Sequence, residues 1–472
     1  MKKMTLLVFS SLLLLFPAEA FQSFQPGEIT PSVKSTSNPG QSYAVFLPSD
    51  YTGSKAHPIL FVMDPRGQAL LPLERFKDAA DSLGYIAISS YNTQSDTDQS
   101  VTIEAINTMI NDAFQLFSVD TTRFYLAGFS GTARLSWIFG YEIKNYIAGI
   151  IGIGAGNNNG FFLADSVAAH GIPFNYYGAS GFHDFNYFEL LELDPALTEM
   201  EFPHHVSFFE GAHRWADQEI LQDALYWMEL TEMKKGTIAT DSVLVTNLYT
   251  DWQAKADSFK ELNDPYHLYL HLLSMQRTFS GFEFLDTSFT SSELDALGNN
   301  TDLVKLSSDI DLSISGFYNY AKLVQDLYHL YDISDTKLTF EKIDKDLDIS
   351  FLIEQRSVEK DIYKLRSVNV FLELVFTQSS FYQTRKYINK GDFKNAYVML
   401  QVANSIKPGN SNLCYQSARV NAQLKRWDEA IENLQCIESQ PWFEGFLSRD
   451  SLLDGLKKSR AYKRYARDRD QN

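Results

Sequence analysis

A serine hydroxyl attacks an acyl carbon only where a base takes its proton. Three segments of this chain supply the parts for that chemistry. Phe124-Tyr-Leu-Ala-Gly-Phe-Ser-Gly-Thr-Ala-Arg134 places Ser130 between Gly128 and Gly131. A short apolar strand runs into the glycines and a helix opens after them, so the turn pushes the Ser130 hydroxyl out of the sheet edge. The amide of Gly131, at the helix start, is placed to stabilise a developing oxyanion. A base is available in His213, within Phe208-Phe-Glu-Gly-Ala-His-Arg-Trp215, after the last apolar strand and before a closing helix. A carboxylate must orient the imidazole. Gly178-Ala-Ser-Gly-Phe-His-Asp184-Phe-Asn186 carries Asp184 within a glycine-rich turn, from which it can fold back to the ring. Asp194 and Glu189 are rivals further along, in a helical stretch.

Gly128-Phe-Ser130-Gly131-Thr132 resembles the GxSxG elbow of α/β hydrolases. It departs at the last position, where Thr132 replaces Gly and its branched side chain is expected to crowd the strand–helix contact. Gly211-Ala-His213-Arg-Trp215 resembles the histidine loop of polyhydroxyalkanoate-depolymerase-like and feruloyl-esterase-like members. The chain order Ser130, Asp184, His213 is also that of the family. The resemblance covers roughly residues 43–232 and implies a serine esterase with no cofactor and no metal. Its second oxyanion donor should come from the loop after the strand ending at Met63. Related hydrolases often carry His-Gly there, and this chain has Asp64-Pro-Arg-Gly67. Pro65 has no amide hydrogen, so Arg66 or Gly67 is expected to donate, while Asp64 points away and braces the loop. Phe129, Phe182 and Trp215 are expected to line the substrate site, with Phe161, Phe162, Phe185 and Tyr187 as further possibilities. Aromatic walls suit aryl esters or sugar faces.

These residues need a scaffold that brings them to one edge. Strand patterns at Tyr43–Leu47, His57–Met63, Tyr85–Ser89, Phe124–Ala127, Ile147–Ile153, Pro173–Tyr177 and His205–Phe209 alternate with helical periodicity at Leu73–Leu83, Thr102–Phe117, Thr132–Phe139 and Asp217–Leu230. Such alternation predicts an α/β domain with a mostly parallel sheet over residues 21–235, whose strand C-terminal ends share one edge. Residues 21–42 read as a loose lead-in. The segment 157–172 is too short for a lid domain, so a mostly open site is expected.

From about residue 240 the strand pattern stops, and 236–375 reads as a helical region. Within 376–472, Gly391-Asp-Phe-Lys-Asn-Ala-Tyr-Val-Met-Leu400 recurs 34 residues later as Lys425-Arg-Trp-Asp-Glu-Ala-Ile-Glu-Asn-Leu434. Phe393 aligns with Trp427, Ala396 with Ala430 and Leu400 with Leu434. That period, with Pro408 after the first unit, resembles tetratricopeptide repeats, which leave a groove for a protein or peptide partner. A fragment ending near Lys235 is therefore expected to keep activity. Cys414 and Cys436 are either a disulfide or two small core residues.

Met1 to Ala20 has a two-lysine start, an apolar run and an Ala18-Glu-Ala20 cleavage site, the pattern of an export signal. An exported bacterial protein, periplasmic or secreted, is expected, with no membrane span. The net charge of −18 makes nucleic acid and anionic lipid poor partners. His267 and His271 could share a helix face, but no third ligand is evident. Gly152, Gly154 and Gly156 lack the helix and acid of a dinucleotide site. Two functions remain: a serine hydrolase acting on a small or carbohydrate-linked ester, with a peptidase as a subclass, or an inactive hydrolase scaffold whose helices bind a partner.

Overall fold

The apolar runs become strands of a single sheet because each is bounded by turn residues and buried on both faces. The computed structural model describes residues 24–143, 146–157, 165, 167–169, 171–298, 301–333 and 337–470. The export signal expected at residues 1–20, and the expected site residues Phe161 and Phe162, lie outside the described residues. The strands are β1 (Ile29–Lys34), β2 (Ser42–Phe46), β3 (His57–Met63), β4 (Ile86–Ser90), β5 (Val119–Phe129), β6 (Ile147–Ile153), β7 (Asn175–Gly181) and β8 (His204–Phe209). Their spatial order is β1-β2-β4-β3-β5-β6-β7-β8. β2 is antiparallel to both of its neighbours, and every pairing from β4 through β8 is parallel. The C-terminal ends of β3, β5, β7 and β8 therefore meet along one edge.

Two details differ from the sequence pattern. β1 lies inside the lead-in that reads as loose, pairing Ile29 with Phe46. Strand β7 runs on to Gly181, so the Gly178–Gly181 stretch is ladder rather than turn. Asp184 follows three residues after that strand.

Beyond Lys235 every regular element is helical among the described residues. The 34-residue period has a conformational counterpart. Gly391 and Lys425, one period apart, both adopt left-handed backbone, at φ 72° and 60°. Each precedes a helix, Phe393–Ile406 and Trp427–Gln435, and Ala396 and Ala430 are fully buried at matching places. Cys414 and Cys436 form a disulfide joining the helix Ser411–Gln423 to the end of the second unit.

The helical half packs directly on the sheet half. One hydrophobic core runs from Val33 in β1 to Val420, and only the last helices form a second cluster. Polar ties cross the junction as well. His267 Nε2 lies 2.9 Å from Tyr187 Oη, His205 Nδ1 lies 2.5 Å from Ser274 Oγ, and Trp252 Nε1 donates to Asp223 at 2.7 Å. The Arg366 guanidinium sits 3.7 Å above the Phe182 ring. His267 and His271 both serve this junction. His267 also holds Asp264 at 2.8 Å, and His271 hydrogen-bonds the Trp252 carbonyl at 2.9 Å.

Candidate active site

Strand β5 ends at Phe129, and the helix Gly131–Glu142 starts two residues later. Ser130 is the hinge between them, at φ 56° and ψ −124°. A non-glycine residue is rarely held there, and such strain persists only where the surroundings enforce it. They do so here. The Ser130 amide donates to the Ile153 carbonyl at 2.8 Å. A Cβ on Gly128 would fall 2.5 Å from the Thr132 carbonyl oxygen, so only glycine lets strand and helix approach this closely. Thr132 does not crowd the contact. Fully buried, it donates its hydroxyl to the Met63 carbonyl of β3 at 2.6 Å and accepts the Phe129 amide at 3.1 Å. The branched residue thus ties the turn to the neighbouring strand.

The loops after β7 and β8 bring the other two groups to this hinge. His213 Nε2 lies 2.8 Å from Ser130 Oγ, and His213 Nδ1 lies 2.9 Å from both carboxylate oxygens of Asp184. Asp184 is fully buried and also accepts the Asn186 amide at 2.8 Å. With Nδ1–H donated to this carboxylate, Nε2 is left to accept the serine proton. The His213 ring packs between Phe129 and Phe185, with centroids 4.7 and 4.3 Å away. The rival carboxylates are engaged elsewhere. Glu189 pairs with Arg134 at 2.5 Å and accepts the Gly156 amide, while Asp194 holds His204 and Arg277 at 3.1 Å each.

This arrangement predicts a contrast. Asp184→Asn should lower the turnover of an activated ester by about 10³–10⁴-fold, because the imidazole loses the partner that fixes its tautomer. Asp194→Asn should keep the rate within a few-fold and instead lower stability by about 1–3 kcal/mol through a weakened buried contact. Steady-state kinetics with thermal unfolding of both variants checks this, and the reverse ranking would move the orienting role to Asp194.

The oxyanion donors need one correction. Gly131 is the first residue of its helix, so its amide has no intrahelical acceptor. Arg66 and Gly67 are different. Arg66 N donates to Asp64 Oδ1 at 2.8 Å, and Gly67 N donates to the Asp64 carbonyl at 3.2 Å. Asp64 therefore folds the loop into a turn that consumes both amides. Its other oxygen accepts Trp215 Nε1 at 2.7 Å, which is the bracing role expected of it. Gly67, at φ 67°, packs its α-carbon against the Tyr91 carbonyl, where a Cβ would sit 2.2 Å from the oxygen.

A cavity of about 420 Å³ opens over Ser130 and His213. Phe129, Phe185 and Trp215 line it. Phe182 does not. It is buried beneath Arg366 and beside His267 at the junction of the two halves. The site is also less open than expected. One wall comes from the helical half, through Thr377, Phe381, Tyr382 and Arg385, and another from the loop Gln94–Thr97. Neither wall carries a local motif, and the sequence pattern flags neither. Glu373, one helical turn before Thr377, is buried and paired with Lys407. Burial pushes its carboxyl up, and Lys407 opposes that.

No family model matches the chain. No curated protein matches it. Similar solved structures include an S-formylglutathione hydrolase from Staphylococcus aureus, at 15% identity over 40% of this chain and 92% of that one, with a TM-score of 0.35. A ferulic acid esterase shares 16% identity over 43% of this chain and 96% of its own, also at 0.35. The feruloyl esterase module from Clostridium thermocellum shares 16% over 42% and 86%, again at 0.35. The strand order and the run of parallel pairings from β4 to β8 make the first half of this chain an α/β-hydrolase fold, followed by an all-helical region.

Proposed function

We propose that the chain is a serine hydrolase that cleaves a small or carbohydrate-linked carboxylic ester. One observation carries the reading: a strained serine whose Oγ lies 2.8 Å from an imidazole that is itself 2.9 Å from a buried carboxylate. In this reading Ser130 Oγ attacks the acyl carbon as its proton passes to His213 Nε2. Asp184 holds the ring in place and stabilises the imidazolium. The Gly131 amide, at the positive end of its helix, faces the charge that develops on the acyl oxygen. Collapse of the tetrahedral intermediate expels the alcohol, which takes the proton from Nε2. Water then repeats the sequence on the acyl-enzyme. Phe129, Phe185 and Trp215 offer aromatic faces for the substrate body. Export fits the N-terminal sequence and a cysteine pair joined as a disulfide. The 34-residue helical units are of the tetratricopeptide kind in this reading, supported by the matched left-handed residues and buried alanines.

A fluorophosphonate probe tests the proposal without knowledge of the substrate. Its phosphorus should be attacked by Ser130 Oγ with loss of fluoride, giving one adduct on the peptide that carries Ser130. A folded protein that takes up no probe, or takes it up at another residue, would overturn the reading.

A further inference from the structure

The helical wall of the cavity is unusual in its backbone. Between the helices Ile362–Thr377 and Thr384–Asn389, residues Gln378–Gln383 form a π-helical segment. Such segments lack the ordinary hydrogen-bond ladder and recur at functional sites. This one is fixed from behind. Ser379 and Thr384 are buried, Thr384 Oγ1 donates to the Ser379 carbonyl at 2.7 Å, and Tyr328 Oη lies 2.7 Å from Ser379 Oγ. The widened turn presents Phe381 and Tyr382 to the cavity over Ser130.

Charge is distributed unevenly around that cavity. Three arginines line it. Arg214 is spent on Asp217, at 2.7 and 2.8 Å. Arg66 and Arg385 are not spent. Both are exposed, and neither guanidinium has a carboxylate or hydrogen-bond partner among the described residues. They converge on one ring, with their guanidinium carbons 4.9 and 5.9 Å from the Phe381 centroid. One comes from the loop after β3 and the other from the helical half. Two like charges held on a shared aromatic ring repel each other, and an anion between them would relieve that repulsion. The chain has 59 acidic residues against 41 lysines and arginines, so carboxylate partners are plentiful elsewhere. On the cavity surface Asp64 is buried and saturated, and Asp96, which also lines the cavity, accepts from Tyr382 Oη at 3.5 Å.

We propose that the substrate is an ester carrying a carboxylate, which Arg66 and Arg385 clasp over Phe381. The helical half thereby selects the substrate for chemistry performed at the sheet edge. Arg66 has its place here as an anion ligand through its guanidinium, while its amide stays in the Asp64 turn. This inference rests on the serine-esterase reading for its catalytic consequences, but the anion site itself can be tested apart from it.

The test uses the full-length protein and two matched pairs of esters. Para-acetoxybenzoate against its methyl ester places the carboxylate on the leaving group. Mono-para-nitrophenyl adipate against para-nitrophenyl hexanoate places it on the acyl part. In at least one pair the charged member should have the higher kcat/KM. Arg385→Gln should lower the charged-to-neutral ratio by about tenfold through KM, with Arg385→Lys retaining part of it, as expected when a charge-assisted contact is lost. Equal ratios for wild type and Arg385→Gln in both pairs would overturn the proposal. Should none of the four esters be hydrolysed, the esterase reading fails, and equilibrium binding of the same two pairs decides the anion site. Tighter binding of the charged member, weakened by Arg385→Gln, supports the site, and indifference to both refutes it.

Discussion

Ser130→Ala is expected to lower ester turnover by about 10⁴-fold or more while leaving the fold intact. The size of the effect follows from the geometry. Only Ser130 Oγ lies within hydrogen-bond reach of His213 Nε2 among the described residues, and the Asp184 contact is of no use to an imidazole with no proton to take. Alanine keeps the backbone bond from residue 130 to the Ile153 carbonyl, so the elbow should persist. Because the groups act as a unit, Ser130→Ala combined with His213→Ala should be little worse than either alone. Burst-phase and steady-state measurements on para-nitrophenyl acetate, with thermal unfolding as the control for folding, read both effects. Near-wild-type turnover by a folded Ser130→Ala protein would remove Ser130 from the mechanism. Additive losses in the double variant would mean that serine and histidine act in separate processes.

The contact of Ser130 with His213 and of His213 with Asp184 is legible because each residue is fixed by local context. The strand–Gly–Phe–Ser–Gly–helix run needs no knowledge of the tertiary structure to place a serine on a turn. His213 and Asp184 each follow an apolar strand, and parallel connectivity carries both loops to the same edge. Strand β1 was illegible for an equally local reason. Ile29–Lys34 contains Pro31 and three polar residues and is an edge strand, largely exposed, so it shows little apolar alternation. The loop after β3 carries two competing signals. Asp-Pro-x-Gly is a turn sequence in which an aspartate side chain accepts amides two residues on, and it claims the Arg66 amide that an oxyanion hole was expected to use. Phe182 illustrates another limit. Its neighbourhood to Asp184 in sequence suggests the site, yet Arg366, which covers it, lies in a helix of the other half. The cavity wall at Thr377–Arg385 is entirely long-range. The cover described over the cavity comes from helices far along the chain, at Thr377–Arg385.

A fragment ending at Lys235 is now expected to lose activity and to aggregate, contrary to what the bare sequence implies. Removal of the helices would uncover Phe182, Tyr187, Phe208 and Trp227, each less than 7% exposed in the whole protein. Burying such side chains is worth about 1.5–3 kcal/mol apiece, a large share of the 5–15 kcal/mol that stabilises a typical domain. Polar groups would be stranded as well. His205 would lose Ser274, and Asp223, whose carboxyl burial pushes up, would lose Trp252 and the nearby Lys255 charge. Catalysis would suffer separately, because Thr377, Phe381, Tyr382 and Arg385 would leave one side of the cavity to water. Size-exclusion chromatography of a 21–235 fragment, with ester turnover per folded molecule, measures both consequences. Supplying residues 236–472 as a second chain during expression should restore solubility and rate together, since the junction is built from side-chain contacts rather than from the covalent link. A soluble, monodisperse 21–235 fragment that turns over esters as fast as the full chain would show that the helices neither stabilise the sheet nor shape the site.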